Sequence, residues 1–337
     1  MIRLDANKEW NKVTAEFVRR VSSGENEELV IKDLQTRYEG IGPVNQQRLR
    51  DLKPAPAPGP GPKPSKNRIF APYTESWLFW SGWNGAKKLT DIPTKNLTLA
   101  FVLDGGHGVP KFDGSMDANI YVPQANEVQK KGGVIRISFG GATGTDLAIG
   151  ITSVDKLVEA YDSVIKMYNT RYIDLDIEGA ATANTSSVKR RNKAMSILQK
   201  KYPDLKIDYT LATMQAGLQN DGISILKDAK AQGVKVNAVN LMAMDYGTGE
   251  KQMGKAAISA ANAAKKQCDK IGLDYNGIGI TPMILVNDTA PETFTVENAK
   301  EVVEFSNKTS WVVFLGFWST GRDTKQWDFM KEFNKYK

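Results

Sequence analysis

The sequence predicts an α/β protein: a (β/α)8 TIM barrel over residues 68–337, preceded by a small helical appendage (1–53) and a Pro/Gly-rich linker (54–67). Three observations predict it. Short apolar, β-branched runs recur near 69–73, 98–104, 133–139, 171–178, 206–213, 236–244, 277–284 and 312–318. Longer segments with three-to-four-residue apolar spacing lie between them, most clearly 153–169, 186–201, 253–271, 295–308 and 324–336, and strands alternating with helices in this way make a parallel barrel. Finally, the stretch from Pro54 to Pro64 holds six of the fourteen prolines. Such a stretch forms neither helix nor sheet ladder and acts as an extended spacer.

Each part can be justified in chain order. Residues 7–35 carry helical apolar spacing (Trp10, Val13, Phe17, Val18, Val21), which suits a helical hairpin or the remnant of another module. After the linker, a doubly wound open sheet competes with the barrel. It would need a Gly-rich phosphate turn after its first strand, and Ala71-Pro72-Tyr73-Thr74-Glu75-Ser76-Trp77 is not one. Asp104-Gly105-Gly106-His107-Gly108 has glycines without that pattern or position.

Composition narrows the chemistry. Over 337 residues, 41% are hydrophobic and 25% charged, the make-up of a globular protein with a sizeable core. The net charge of +7 is spread along the chain, with no Lys/Arg run interleaved with aromatics, which argues against a nucleic-acid partner. Cys268 is the sole cysteine and His107 the sole histidine. Cys/His metal sites and His-based triads are thereby excluded, and Cys268 reads as a packed, inert thiol. No membrane span and no signal-peptide core are visible, so the expectation from the residues is a cytosolic protein, one exported by another route, or a chain lacking its leader.

The most informative segment is Tyr172-Ile173-Asp174-Leu175-Asp176-Ile177-Glu178-Gly179. Side chains alternate on a strand, so Asp174, Asp176 and Glu178 share one face at steps of about 7 Å, with Ile173, Leu175 and Ile177 on the other. In a parallel barrel the acidic face points into the interior and toward the C-terminal mouth, where active sites lie. The acids could bind Mg2+ or Ca2+, form a solvated face, or serve as structural hydrogen bonders. Acid catalysis fits better: burial and mutual repulsion keep one carboxyl protonated near neutral pH. Glu178, longest and nearest the mouth, is the expected donor. Asp176 sits one step behind it, and Asp174 is expected to hold the proton that Asp176 does not.

Five ordered segments carry a resemblance to a known family. Asp174-x-Asp176-x-Glu178 matches the D-x-D-x-E signature of the family 18 chitinases, and Ser138-Phe139-Gly140-Gly141 looks like that family's S-x-G-G. Met242-Ala243-Met244-Asp245-Tyr246-Gly247, Thr281-Pro282-Met283-Ile284 with Asn287-Asp288, and Trp318-Ser319-Thr320-Gly321-Arg322-Asp323 resemble the strand ends of one bacterial branch. The likeness covers nearly all of residues 68–330. Arg171-Tyr172 stand where the family often has Asp-Gly, so the proton network below Asp174 is expected to differ.

The resemblance implies a glycoside hydrolase that cleaves β-1,4-linked N-acetylglucosamine in chitin by a retaining, substrate-assisted route. Glu178 would protonate the glycosidic oxygen, Asp176 would hold the acetamido N–H of the oxazolinium ion, and Tyr246 would steady the acetamido oxygen. It further implies Trp318 as the floor beneath the distorted sugar, Met244 and Asp245 at the substrate, no metal or cofactor, and a monomer acting outside the cell. Aromatic faces stack on sugar rings, which makes Tyr73 a candidate wall, and Trp77, Trp80 and Trp83 either extensions of the cleft or loop packing. Met214 and Met283 at strand ends suit either core packing or contact with substrate. His107 reads as a loop hydrogen bonder and Ser138 as packing beneath the acids. The short segment 285–311 leaves little room for an inserted domain and points to an open, shallow cleft with endo cutting. An endo-β-N-acetylglucosaminidase on N-glycans shares the acidic strand, and a non-catalytic chitin-binding protein would usually lack its final Glu.

Overall fold

The computed structural model describes residues 4–5, 9–22, 25–51 and 68–337, so the expected linker, 54–67, lies outside the described residues. The chain divides into two compact units, Met1–Lys63 and Pro64–Lys337.

In the first unit, helices Trp10–Ser22, Glu27–Arg37 and Pro43–Asp51 enclose a core that includes Val13, Phe17, Val30, Leu34 and Leu49. The amphipathic spacing of Trp10, Val13 and Phe17 thus does form a helix. Asn26 caps the second helix by accepting from the N–H groups of Glu28 and Leu29. The hairpin read from sequence gains a third helix and a two-residue parallel pairing of Leu4–Asp5 with Tyr38–Glu39.

The second unit is the barrel. Its strands, numbered within this unit, are β1 (in two segments, Ile69–Phe70 and Tyr73–Glu75), β2 (Leu97–Asp104), β3 (Ile135–Gly140), β4 (Tyr172–Asp176), β5 (Lys206–Met214), β6 (Val236–Met242), β7 (Tyr275–Thr281) and β8 (Val312–Leu315). Each pairs in parallel with the next. Phe70 of β1 also pairs with Leu315 of β8, so the ring closes. Helices Val122–Lys130, Val154–Met167, Thr185–Lys201, Asn220–Ala231, Met253–Lys270 and Val296–Lys308 follow β2 to β7, and Asp328–Phe333 follows β8. Their apolar stripes and the outward-facing residues of the strands form one large core. Cys268 lies in that core, where burial pushes its thiol up to about 12, as a packed thiol requires. Among the described residues no helix is long and apolar enough to cross a membrane.

Register positions the chemistry. Ser138, Asp174 and Asp208 are Cα partners across β3, β4 and β5. Two residues nearer the mouth, Gly140, Asp176, Thr210 and Asn240 form the next row. Parallel pairing keeps side chains of one row on one face, so both rows project into the barrel.

Candidate active site

Ile173, Leu175 and Ile177 are buried against the helices, and this anchoring turns Asp174 and Asp176 inward. Asp174 is wholly enclosed. Its Oδ1 accepts from Arg136 Nη2 (2.6 Å) and Thr210 Oγ1 (2.6 Å), and its Oδ2 from Tyr73 Oη (2.9 Å) and Ser138 Oγ (2.6 Å). A carboxylate offers about four acceptor positions, and here all are taken. Ser138 lies beneath the acids as the sequence suggests, and it donates to Asp174.

Below Asp174 the network does differ from an acidic run along β4. Arg136, also fully buried, reaches from β3: its Nε donates to Asp208 Oδ2 (3.0 Å) and its Nη1 to Thr98 Oγ1 (3.2 Å). The guanidinium lies 4.3 Å from the Phe314 ring centroid and also faces the rings of Tyr73 and Tyr172. Asp208 accepts from Asn237 (2.7 Å). Burial and the neighbouring Asp174 outweigh the pull of Arg136 and raise Asp208 to about 6.

Asp176 and Glu178 form a hydrogen-bonded pair of carboxyls. Burial is the first cause that lifts Asp176 well above the carboxylate range, with repulsion from Glu178 and Asp174 adding to it. Burial also raises Glu178, helped by the charge of Asp245, while its hydrogen bond with Asp176 acts in the opposite direction. Burial and mutual contact thus favour the state in which the pair shares a proton. The Oδ1 of Asp176 has no partner among the described residues and is free to meet a donor from a ligand.

These acids open onto a cavity of about 260 Å3 whose lining includes Tyr73, Phe101, Met244, Asp245, Met283 and Trp318. Trp318 stacks on Phe101 with centroids 5.5 Å apart and planes 13° from parallel. It also touches Tyr73 and Trp77. The loop after Trp318 is fastened to Glu75 at the end of β1, whose carboxyl accepts from Ser319, from Thr320 Oγ1 (3.2 Å) and from the Gly321 N–H (3.1 Å).

The three loop tryptophans separate. Trp83 is buried and donates to the Glu75 carbonyl (2.7 Å), Trp77 extends the aromatic wall, and Trp80 is 80% exposed.

Two predicted site residues fall elsewhere. Tyr246 does not line the cavity. Its ring is in the main core and its hydroxyl, closed off from solvent, has no partner among the described residues. The resemblance implies Tyr246 at the substrate, but β6 ends at Met242 and Asp245 adopts φ 48°, so the strand's phase does not carry through to Tyr246. Met214 lines a separate groove with Gln215 and Glu250. The end of β5 folds into a hairpin with Gly217–Leu218, and this turns Met214 away from the acids.

The rim is cross-tied. A short hairpin, Leu285–Val286 with Thr293–Phe294, follows β7. From it the enclosed Glu292 accepts from the N–H groups of Tyr246 (2.8 Å), Thr248 (3.0 Å) and Glu250 (3.4 Å). Burial alone would raise this carboxyl, but the backbone donors bring it below its ordinary range. Asp245 in turn accepts from the Thr289 N–H (2.8 Å).

A closed parallel barrel that brings two carboxyls raised above their ordinary range to a cavity walled by aromatic rings has the make-up of an acid-catalysing hydrolase. Comparison with known proteins agrees. The catalytic domain of a chitinase from Pyrococcus furiosus, solved as catalytic-site mutants, is 30% identical, with a TM-score of 0.71 over 82% of this chain and 97% of that one. A GH18 chitinase from Flavobacterium johnsoniae shares the fold at 15% identity, with a TM-score of 0.59 over 81% of this chain and 94% of that one. A probable bifunctional chitinase/lysozyme of Escherichia coli (strain K12) is 29% identical over 88% of this chain, which spans 37% of that relative's length. No family model matches. The chain belongs to family 18 of the glycoside hydrolases, the chitinase family.

Proposed function

We propose that the barrel hydrolyses β-1,4-linked N-acetylglucosamine chains with retention of configuration, using Glu178 as acid and then base. The observation that carries this reading is the direct contact between Asp176 and Glu178. Two-carboxylate retaining enzymes hold acid and nucleophile about 5–5.5 Å apart, with the sugar carbon between them. Carboxyls in mutual hydrogen bond are closer than that spacing, which favours the route the family resemblance implies, with the attacking oxygen supplied by the substrate's own 2-acetamido group.

The steps follow from that arrangement. Glu178 gives its proton to the glycosidic oxygen as the acetamido carbonyl oxygen bonds to the anomeric carbon and the glycosidic C–O bond breaks. Asp176 turns its carboxylate to the N–H of the resulting oxazolinium ion. Glu178, now anionic, takes a proton from water, whose oxygen bonds to the anomeric carbon as the ring reopens. Tyr246, with no hydroxyl at the cavity, has no part in this scheme. An insoluble polymer cannot enter a cell, so the proposed action is extracellular.

The test is release of fluorophore from chitobiose and chitotriose conjugates, with proton NMR following the first product. The β-anomer is expected to appear before mutarotation; initial α-anomer would overturn retention, and no release from either conjugate would overturn the assignment. Trp318→Ala removes the floor, and with one aromatic contact worth about 1–1.5 kcal/mol, KM on chitotriose is expected to rise about tenfold. An unchanged KM would show that the sugar does not stack there.

A further inference from the structure

The reading of Glu178 as the acid leaves the buried cation of Arg136 unused. Arg136 sits on β3 in the run Ile135-Arg136-Ile137-Ser138, where alternation sends it inward beside Ser138. It has no exposed surface, and each guanidinium nitrogen is engaged, by Asp208, Thr98 and Asp174. Buried ion pairs cost about as much in lost hydration as they return, so stability alone gives no reason for a cation here. Tyr172 occupies the inward position on β4 where another acid would continue the row. The line of carboxyls therefore ends at Asp174, with a fixed positive charge behind it.

We propose that Arg136 is a positioning residue for the catalytic proton: by occupying Asp174 together with Thr210, Tyr73 and Ser138, it confines the shared proton to Asp176 and Glu178. This proposal rests on the reading of Glu178 as acid. With Asp174 held by the Arg136 guanidinium and three hydroxyls, a proton moving inward from Asp176 would have to reverse one of those hydroxyl bonds against the pull of the cation. The hydrogen bond of Asp176 runs outward, to Glu178, and its remaining oxygen is unpartnered. The charged and titratable groups facing this assembly are Tyr73 on β1, Tyr172 and Asp176 on β4, Lys206 and Asp208 on β5, and Glu178 and Asp245 at the mouth. Among them Asp208 is the acid that shares the guanidinium with Asp174.

The sign of each effect follows from charge. Loss of the Arg136 cation makes protonation of the Asp176–Glu178 pair easier, so both limbs of the kcat/KM profile move to higher pH. Loss of the Asp208 anion, present above about pH 6, leaves the cation less balanced there, so the alkaline limb moves to lower pH. The experiment compares Arg136→Gln, Asp208→Asn and Arg136→Lys with the parent on chitotriose conjugates. Arg136→Gln is expected to shift both limbs upward and Asp208→Asn to shift the alkaline limb downward, each by about half a pH unit or more, as a charge at this range demands. Arg136→Lys, which keeps the charge, is expected to stay near the parent profile.

A merely structural Arg136 would lower melting temperature and kcat while leaving the limbs in place; unmoved limbs overturn the proposal. Should Arg136→Gln fail to fold, the other two variants decide, and an unshifted Asp208→Asn profile overturns it. Activity of the parent and its loss in Glu178→Gln report separately on the functional reading.

Discussion

Glu178→Gln is expected to leave a folded barrel that binds chito-oligosaccharides and turns them over about 100- to 10,000-fold more slowly, the contribution of a positioned general acid. Glutamine keeps the length and hydrogen-bonding shape of the side chain but has no proton to give to the leaving oxygen. Binding should persist because the aromatic floor of Trp318 and Phe101 is untouched. Stability provides a second readout. Burial raises the Glu178 carboxyl, so the native state favours the protonated form. Below the unfolded value of about 4.3 both states are protonated and the group has no effect on stability; as pH rises toward and through the raised value, native stability declines. Glutamine removes that decline. The variant should therefore melt with the parent in acid and at or above it near neutral pH, as followed by calorimetry. Equal turnover in the two proteins would sink the assignment of the acid.

Asp176→Asn is the second large effect. Asparagine preserves volume and can still hydrogen-bond Glu178, but it carries no negative charge for an oxazolinium ion and cannot share the proton. Loss of a preorganised electrostatic partner costs about 100- to 1,000-fold in kcat, and the loss should fall on kcat more than on KM, because the charge it answers exists only after bond breaking begins. Steady-state kinetics on chitotriose conjugates measure both. A change of only a few-fold would count against the acetamido-assisted route.

Most of what fixes this site can be read from the chain by alternation. Ile173, Leu175 and Ile177 declare which way β4 faces, so Asp174 and Asp176 follow, and the eight apolar runs meet eight paired strands. The same rule applied to Ile135-Arg136-Ile137-Ser138 would have found Arg136, and applied to Tyr73-Thr74-Glu75 would have found Glu75. Both are hard to see because a charged residue within an apolar run looks like an interruption. What sequence could not supply was where strand phase stops. Asp245 at φ 48° ends it before Tyr246, and the hairpin at Gly217–Leu218 ends it at Met214. Those breaks come from backbone geometry at the mouth, where apolar spacing no longer constrains the side chains. Helices Val122–Lys130 and Asn220–Ala231 show less clearly in the apolar spacing. The first opens with Val122-Pro123 and the second carries Gly222 in its first turn, residues that mark helix starts or weaken helices.

The Glu292 cross-tie has a thermodynamic consequence for a long polymeric guest. Loops that must settle around each new stretch of chain would forfeit conformational freedom every time, and that loss would be subtracted from each binding event. Here the segments after β6 and β7 are already stitched to one another by a single carboxylate. A strand arriving at the mouth meets walls whose ordering was completed when the barrel folded, so contact energy goes into gripping the sugar instead of shaping the receptacle.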